Sequence, residues 1–200
     1  MFRLLSFFYP SLLWHVPVKD KILYLTFDDG PIPEVTPWVL EELKKRNIKA
    51  TFFCIGDNVR KHPAIFQSIR EQGHVAGNHI YHHLNGWNTA DKKYSEDIEL
   101  AHKLISSRLF RPPYGKIRIS QISALKKKYR IVMWDVLSKD YDTKLNGEQC
   151  YQRVIKSAQP GSVIVFHDSL KAEERIRFAL PKVMDHFFKM GYTFAALPEN

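Results

Sequence analysis

The amino-acid sequence predicts an α/β fold in which a parallel sheet forms an incomplete barrel. Apolar, strand-like runs alternate along the chain with stretches of helical periodicity, which is the order typical of α/β proteins. Several of these runs are continuously apolar, as expected for a parallel sheet covered by helices. An open doubly wound sheet and a barrel both fit this order. A full eight-stranded barrel takes about 250 residues, so a chain of 200 residues with about seven strands favours an incomplete one.

Seven apolar runs are predicted to be strands: residues 22–27, 49–54, 74–78, 109–111, 130–135, 162–167 and 192–196. Between them, four stretches place apolar residues at the three- and four-residue intervals of a helix. Their apolar faces are formed by Val35, Trp38, Val39 and Leu43; by Ile65, Phe66 and Ile69; by Ile98, Ala101, Leu104 and Ile105; and by Tyr151, Val154, Ile155 and Ala158. Gly73 and Gly191 stand where the C-terminal caps of helices belong.

Length and composition predict one globular domain over residues 1–200. Hydrophobic residues at 44% and charged residues at 26% argue against wholesale disorder. Two cysteines, Cys54 and Cys150, are too few for a disulfide framework, and the lack of a CxxC pair argues against a structural zinc ribbon. We expect both cysteines to be free, buried thiols.

The charge pattern and the first residues narrow the choice of partners. The net charge is +9, but the basic runs at 44–46 and 126–128 are typical of solvated helix faces. No zinc-finger or helix-turn-helix signature accompanies them, so nucleic acid is not a predicted partner.

Residues 1–16 are apolar but shorter than the roughly 20 residues of a transmembrane helix. Because Pro10 interrupts this run and no small-residue cleavage site follows, we expect it to pack on the domain, without membrane association and with a cytoplasmic location favoured. The oligomeric state stays open.

Reactive side chains fall where the predicted strands end. The C-terminal ends of parallel strands converge on one face of a barrel, and catalysis takes place on that face. Asp28 and Asp29 follow the first strand, His79 the third, Arg111 ends the fourth, Asp140 lies just beyond the fifth, and His167 ends the sixth. Five such placements on one edge are hard to explain by stability alone and predict an active site there.

The twin carboxylates of Asp28 and Asp29 lie in the sequence TFDDGP. Adjacent carboxylates repel each other, and the Gly-Pro that follows makes a tight turn that fixes their directions. A turn-forming or helix-capping role explains either aspartate but explains the pair less well. A divalent cation accounts for both, because one carboxylate can bind the metal while the other acts on the water that the metal holds.

The sequence GNHIYHHLNG holds three of the nine histidines of the chain, His79, His82 and His83. His79 and His83 are four residues apart, so in a single helical turn their rings face the same way. Two histidines and one carboxylate make a metal site with open positions for water and substrate. This spacing alone is a weak signal, and the nearby aspartates strengthen it. We expect His82 to point elsewhere, towards solvent or the rim of the site.

Two further residues complete the candidate constellation. Arg111 lies in FRPPYG, where two prolines stiffen the turn. Its side chain is either solvated or paired with a carboxylate that it holds ionised. His167 ends a core strand, where a lone histidine is usually a satisfied core residue. With a metal opposite, a general acid is the better interpretation.

These residues resemble a known family. TFDDGP, HIYHH within GNHIYHHLNG, RPPYG, DVLSKDY and VFHDS look like the five ordered motifs of the polysaccharide deacetylases, the NodB-homology or family 4 carbohydrate esterases. The match covers residues from about 20 to 197. The resemblance implies a distorted (β/α)7 barrel, similar to a TIM barrel, and removal of N- or O-acetyl groups from acetylated glycans.

The resemblance also implies a role for each position. Asp29, His79 and His83 would bind a divalent metal, usually zinc, with cobalt or another transition metal as an alternative. Asp28 would be the general base with Arg111 as its partner, and the backbone N–H of Tyr114 would help to hold the oxyanion. His167 would be the general acid, with its pKa tuned by Asp140.

The sequence departs from the family pattern at two positions. Ile80 stands where Ser or Thr usually follows the first metal histidine, and loss of that hydroxyl is expected to loosen the ligand loop. Tyr141 stands where Trp usually follows the aspartate of the fourth motif, which is expected to reshape the apolar wall near the acetyl methyl group. Neither change touches a catalytic position.

Three alternatives to a glycan deacetylase stay open. One is a metal-dependent amidohydrolase that acts on a small non-glycan amide, although no long insertion is present to enclose a small substrate. Another is a glycan-binding protein with an inactive site, against which the intact Asp28 and His167 argue. The third is thiol chemistry at Cys54, for which no partner histidine is indicated.

Overall fold

The computed structural model describes residues 9–199, in which strands and helices alternate as predicted. The strands are β1 Ile22–Asp28, β2 Thr51–Cys54, β3 Val75–Asn78, β4 Leu109–Phe110, β5 Arg130–Ile131, β6 Val136–Leu137, β7 Val163–His167 and β8 Thr193–Phe194. The helices are α1 Thr36–Lys45, α2 Gly56–Lys61, α3 Pro63–Glu71, α4 Asp91–Ile105, α5 Ile119–Leu125, α6 Gly147–Ser157 and α7 Glu173–Lys189. Short 3₁₀ turns occur at Gly86–Asn88 and Pro113–Gly115.

The sheet is parallel and has the strand order β5-β4-β3-β2-β1-β7-β6, with β8 paired to the start of β1. Laid flat, seven strands spaced about 4.8 Å apart would hold the two edge strands roughly 29 Å from each other. The edge strands β5 and β6 are joined by only four residues, 132–135, which reach at most about 18 Å. The sheet must therefore curl, and this confirms the predicted incomplete, distorted (β/α)7 barrel.

This junction is where the predicted strand 130–135 was wrong. The amide of Val132 still bonds to Phe110 of β4, whereas the amide of Asp135 bonds to Val163 of β7. One run of apolar residues thus leaves one side of the barrel and joins the other. It divides into two short strands because a single straight strand cannot follow both neighbours.

The described part of the N-terminal segment packs against this junction, as expected. Leu13 forms a parallel bridge with Val132, and His15 forms an antiparallel bridge with Ser162. Leu12, Trp14 and Val16 are buried. Residues 1–8 of the segment lie outside the described residues. Buried and less buried side chains alternate along residues 12–16, as they do in an extended chain that lies against a sheet.

The four predicted helices are present as α1, α3, α4 and α6, and their apolar faces point mainly into the core. Leu104 is the exception, with 40% of its surface exposed on α4. Gly73 and Gly191 follow α3 and α7 with φ of 75° and 77°, the left-handed conformation of a C-terminal cap. No helix within residues 9–199 combines the length and apolar character needed to cross a bilayer.

Candidate active site

Strand β1 carries the twin aspartates to the C-terminal edge of the sheet. Asp28 is the last residue of β1 and is level with His167, the last residue of the neighbouring strand β7. Asp29 has a φ of 87°, so its side chain departs from the alternation of the strand. Adjacent carboxylates therefore point into one cavity from different positions, which a regular strand would not allow.

A buried carboxylate holds the turn after these aspartates in place. Asp168 accepts hydrogen bonds from the Gly30 N–H at 3.0 Å and from the Thr36 hydroxyl at 2.5 Å. A Cβ at Gly30 would lie 2.0 Å from Oδ2 of Asp168, so only glycine fits there. Burial, together with the charge of Asp29, raises the pKa of Asp168 to about 8 despite the two hydrogen bonds.

Asp29, His79 and His83 present one ligand atom each, and these atoms lie within 4.8 Å of one another. Oδ1 of Asp29 is 3.8 Å from Nε2 of His79 and 3.3 Å from Nε2 of His83. Burial opposes ionisation of Asp29, but the hydrogen bond to His83 and the nearby histidine charges outweigh it, so the pKa of Asp29 lies below its ordinary range. An ionised carboxylate beside two imidazole nitrogens is a donor set that suits zinc.

The protonation of His79 is also right for a ligand. Its Nδ1 lies 2.8 Å from the carbonyl oxygen of Arg111, which can only accept a hydrogen bond. Nδ1 therefore carries the proton, and Nε2 keeps a free lone pair towards Asp29. Burial lowers the pKa of His79 to about 4, which keeps the ring neutral at physiological pH.

The loop after β3, residues 79–83, carries both histidines and is here called the ligand loop. It is not the predicted helical turn. Ile80 and His83 have φ values of 60° and 54°, which no α-helix contains. The rings of His79 and His83 still meet, with centroids 5.1 Å apart, because two left-handed residues bend the loop back on itself. The two histidines are therefore brought together by a left-handed bend and not by the helical turn that we expected.

The ligand loop is anchored at its back by Asp97 of α4. Asp97 accepts hydrogen bonds from the backbone N–H groups of Tyr81 and His82 at 3.0 and 2.9 Å and also pairs with the His82 ring. The His82 side chain is 57% exposed and points away from the cavity-lining residues, as expected. Ile80 is fully buried in an apolar cluster with Trp14 and Ile98. The expected loosening at Ile80 is therefore opposed by packing and by Asp97.

Arg111 is fully buried beside the base candidate. Its Nη1 donates to Oδ1 of Asp28 and to Oγ1 of Thr26, both at 2.7 Å, and its Nη2 donates to the carbonyl of Met133 at 2.9 Å. The guanidinium carbon lies 4.1 Å from the ring centroid of Phe53. These contacts hold the Asp28 carboxylate in one orientation and supply it with a counter-charge.

Tyr114 stands at the rim of the site with a φ of 61°. Its hydroxyl lies 3.1 Å from Nδ1 of His83, and the two rings are 4.7 Å apart. The left-handed backbone at Tyr114 follows two prolines that restrict φ, so this turn is rigid. The residue lines the cavity, where its backbone N–H was predicted to act.

Asp140, in the loop after β6, forms a buried pair with His167 at the end of β7. Oδ1 of Asp140 lies 2.7 Å from Nδ1 of His167, and Oδ2 accepts the His167 backbone N–H at 2.8 Å. Burial disfavours the charged ring, but Asp140 and the charges of Asp29 and Asp28 outweigh it and raise the pKa of His167 to about 9. His167 is therefore protonated at neutral pH, the state that a general acid needs.

One open cavity of about 420 Å³ joins these groups, a size typical of small-molecule and sugar sites. Arg111 and Asp140 do not line it, because each is buried behind the residue it binds. The polar lining is Asp28, Asp29, His79, His83, His167 and Lys171, and the remaining wall is Tyr114, Trp134, Leu137, Tyr141 and Val165. Tyr141 packs edge-on against His167 with ring centroids 4.9 Å apart, so it forms the part of the wall beside that histidine.

Six of the eight predicted site residues line this cavity, and the other two, Arg111 and Asp140, lie behind residues that do. The buried carboxylates that support the site, Asp168 and Asp97, were not predicted. Asp168 directly follows His167 in the quoted sequence FHD, so its position at a strand end was a usable signal. Asp97 lies in the middle of α4, where nothing in the local pattern distinguishes it from a solvated helix residue.

Cys54 and Cys150 are free and buried as expected. Burial raises the pKa of the Cys54 thiol well above its usual range, which argues against thiol chemistry.

Comparison with known proteins supports the family resemblance. A family model described as polysaccharide deacetylase matches residues 15–131. A peptidoglycan-N-acetylglucosamine deacetylase of Bacillus cereus is 34% identical over 193 residues, covering 93% of this chain and 91% of that protein. A chitooligosaccharide deacetylase of Azorhizobium caulinodans is 34% identical over 164 residues, covering 78% of each.

Solved structures share the fold. The crystal structure of the Bc1960 peptidoglycan N-acetylglucosamine deacetylase, in complex with 4-naphthalen-1-yl-N-oxidanyl-benzamide, superposes with a TM-score of 0.90 and 32% identity over 96% of this chain and 94% of that chain. The BA3943 pseudoenzyme of Bacillus anthracis has the same fold, with a TM-score of 0.83 at 24% identity over 94% of this chain and 68% of that chain. The family match over more than half of the chain, the full-length relatives and the shared fold make this chain a member of the polysaccharide deacetylase family, a family of hydrolases.

Proposed function

We propose that this chain is a metal-dependent deacetylase that removes N-acetyl groups from a glycan and releases acetate. The observation that carries the proposal is the pairing of Asp28 and His167 on adjacent strands. One is an ionisable base candidate held by Arg111, and the other is a protonated acid held by Asp140. Hydrolysis of an amide needs both, because an amine leaves poorly unless it is protonated.

Asp29, His79 and His83 would hold the metal, and zinc fits their donor atoms best. When bound, a divalent metal supplies Lewis acidity, which polarises the acetyl carbonyl and lowers the pKa of water. The free Nε2 of His79 supports this assignment, since its tautomer is set by the Arg111 carbonyl.

The protein side chains would then perform the proton transfers. Asp28 accepts a proton from the attacking water, and Arg111 keeps its carboxylate aimed at that water. The backbone N–H of Tyr114 donates to the carbonyl oxygen as negative charge develops there. His167 donates its proton to the nitrogen of the departing amine, and Asp140 stabilises the imidazolium until that step.

The substrate class follows from the relatives and from the cavity. The relatives reported above are named for peptidoglycan and chitooligosaccharide, both of which contain N-acetylglucosamine. The cavity of this chain is open, so a sugar residue could enter it while still joined to its polymer. Its aromatic walls at Tyr114, Trp134 and Tyr141 could contact the sugar ring. An acetylated glycan is therefore the proposed substrate, with O-acetyl groups, from which a sugar alcohol departs, as a second class of target.

The test is acetate release from N-acetylchitooligosaccharides, peptidoglycan fragments and acetylxylan, each with added Zn²⁺ or Co²⁺ and with chelator. We expect release from the first two substrates, loss with chelator and recovery with metal. Iodoacetamide should have no effect because Cys54 is buried. Binding of the glycans without acetate release would favour the inactive glycan-binding alternative, since the pseudoenzyme shows that this fold can exist without activity. Release from small N-acetyl amides alone would favour the amidohydrolase.

A further inference from the structure

A second cavity of about 400 Å³ adjoins the catalytic one and has no role in the mechanism above. The two cavities share the lining residues Tyr114 and Trp134, so they lie side by side. The outer cavity is lined mainly by apolar and aromatic side chains, among them Trp14, Trp87 and Met133. We call it the outer groove.

Trp87 is held in a fixed position in this groove although 57% of its surface is exposed. Its Nε1 donates to the Ile117 carbonyl at 3.2 Å, and its backbone N–H donates to Oδ1 of Asn85 at 3.0 Å. Its carbonyl accepts from Nη2 of Arg118 at 2.7 Å. Every polar atom of the residue is thus satisfied within the protein, and what remains exposed is an apolar ring surface.

The loop that carries Trp87 is also locked sterically. A Cβ at Gly86 would lie 2.4 Å from the Lys116 carbonyl oxygen, so this backbone packs directly on residues 116–117. The Lys116 ammonium group lies 5.3 Å from the Trp87 ring centroid, within the range of a cation–π contact. Large exposed apolar surface that is held rigid usually marks a binding site, because no internal packing repays its exposure.

The position of the outer groove beside the catalytic cavity points to the class of ligand. If a sugar residue occupies the catalytic cavity, a neighbouring residue of its chain can reach the outer groove past the shared Tyr114 and Trp134. A pyranose ring has an apolar face of C–H groups that packs on an aromatic ring, and it carries hydroxyl groups at its edge. Lys116 is the one charged residue among the described residues that line the outer groove, and aromatic surface with so little charge suits this ligand better than it suits a polyanion.

We infer that the outer groove is a second sugar-binding subsite, in which Trp87 packs against a pyranose ring of the same glycan chain as the residue undergoing deacetylation. This inference rests on the proposed function. It makes Trp87 a residue that sets the preferred length of the substrate, and it predicts faster turnover of longer oligosaccharides at low concentration.

The experiment compares wild type, Trp87→Ala and Trp87→Phe on N-acetylchitooligosaccharides from the monosaccharide to the hexasaccharide. Trp87→Ala should lower kcat/KM for the longest substrate about tenfold, through KM, and leave the shortest one nearly unchanged. Trp87→Phe should keep most of the wild-type value. Phe178→Ala is the matched control, because Phe178 is an exposed aromatic residue that lines neither cavity. Equal loss at every length, or no loss at any length, would overturn the subsite.

Calorimetric binding of the hexasaccharide separates this inference from the proposed function. Absence of acetate release by wild type on every substrate would refute the deacetylase assignment but not the groove. The groove would then stand if wild type binds the hexasaccharide and Trp87→Ala binds it about tenfold more weakly. Equal affinities, or no binding by wild type, would reject it.

Discussion

Arg111 donates a hydrogen bond of 2.7 Å from Nη1 to Oδ1 of Asp28, and both side chains are buried. Burial lowers the pKa of the guanidinium, and the charge of Asp28 opposes that shift. The pair therefore has two functions, since it balances a charge within the barrel and orients the carboxylate proposed as the base. Removal of Arg111 should show the first function as a loss of stability, and neutralisation of Asp28 should show the second as a loss of activity.

Arg111→Ala should lower the free energy of unfolding by about 3–5 kcal/mol, because it leaves the Asp28 carboxylate buried without its counter-charge. Urea unfolding of the metal-free chain measures this loss. Adding Asp28→Asn to Arg111→Ala should restore part of it, since the uncompensated charge is then removed. Unchanged stability in Arg111→Ala would mean that Asp28 has another source of compensation.

Asp28→Asn and Asp29→Asn should fail in different ways. Asp28→Asn keeps its size and the proposed metal ligands but cannot accept a proton, so kcat should fall by about 10²- to 10⁴-fold at wild-type metal content. Asp29→Asn loses an anionic ligand, so metal affinity should fall and excess Zn²⁺ should recover part of the activity. Acetate release and elemental analysis check both. If Asp28→Asn lost metal while Asp29→Asn kept it, the two roles would be exchanged.

Asp140→Asn should lower the pKa of His167 in the metal-free chain, because it removes the strongest influence that raises it from 6.5 to about 9. The stability that His167 contributes is fully present below pH 6.5 and is lost as the pH rises through about 9. The variant should lose this pH dependence. NMR titration of the His167 ring and unfolding at several pH values check it, and an unchanged ring pKa would contradict the role given to Asp140.

For the enzyme, the same change has a kinetic consequence. The general acid is active only while protonated, so activity should fall as the pH rises through the pKa of His167. Asp140→Asn should move this alkaline limb of kcat/KM to lower pH. Ser138→Ala removes another hydrogen bond to Oδ1 of Asp140 and leaves the His167 contact in place, so it should shift the limb far less.

Asp168→Ala should weaken metal binding about 10- to 100-fold, because the turn that holds Asp29 loses its hydrogen bonds at Gly30 and Thr36. Asp168→Asn is the matched control. With a pKa of about 8, the native side chain is mostly protonated at pH 7, so a neutral amide should replace it at small cost. Competition with a chelator gives the affinities. Equal metal binding in all three proteins would show that the turn is held by other contacts.

Much of the active site follows from strand ends that the sequence alone marks. Apolar runs define β1, β3, β4 and β7, and the reactive residues that follow them share one edge of a parallel sheet. This is why the sequence alone predicts that Asp28, His79, Arg111 and His167 lie close together, and why the family motifs coincide with these strand ends.

Only the tertiary structure decided how these residues are held. Residues 130–137 divide between two edges of the barrel because β5 pairs with β4 and β6 pairs with β7. The local sequence of these residues does not indicate which distant strand each part will pair with. The left-handed turns at Ile80 and His83 depend on Asp97, fourteen or more residues away. The turn after Asp29 depends on Asp168, which binds the Gly30 N–H from 138 residues further along the chain. Periodicity records which face a residue presents to the core. It does not indicate which distant backbone group that residue contacts, because a single contact leaves no repeating pattern in the sequence.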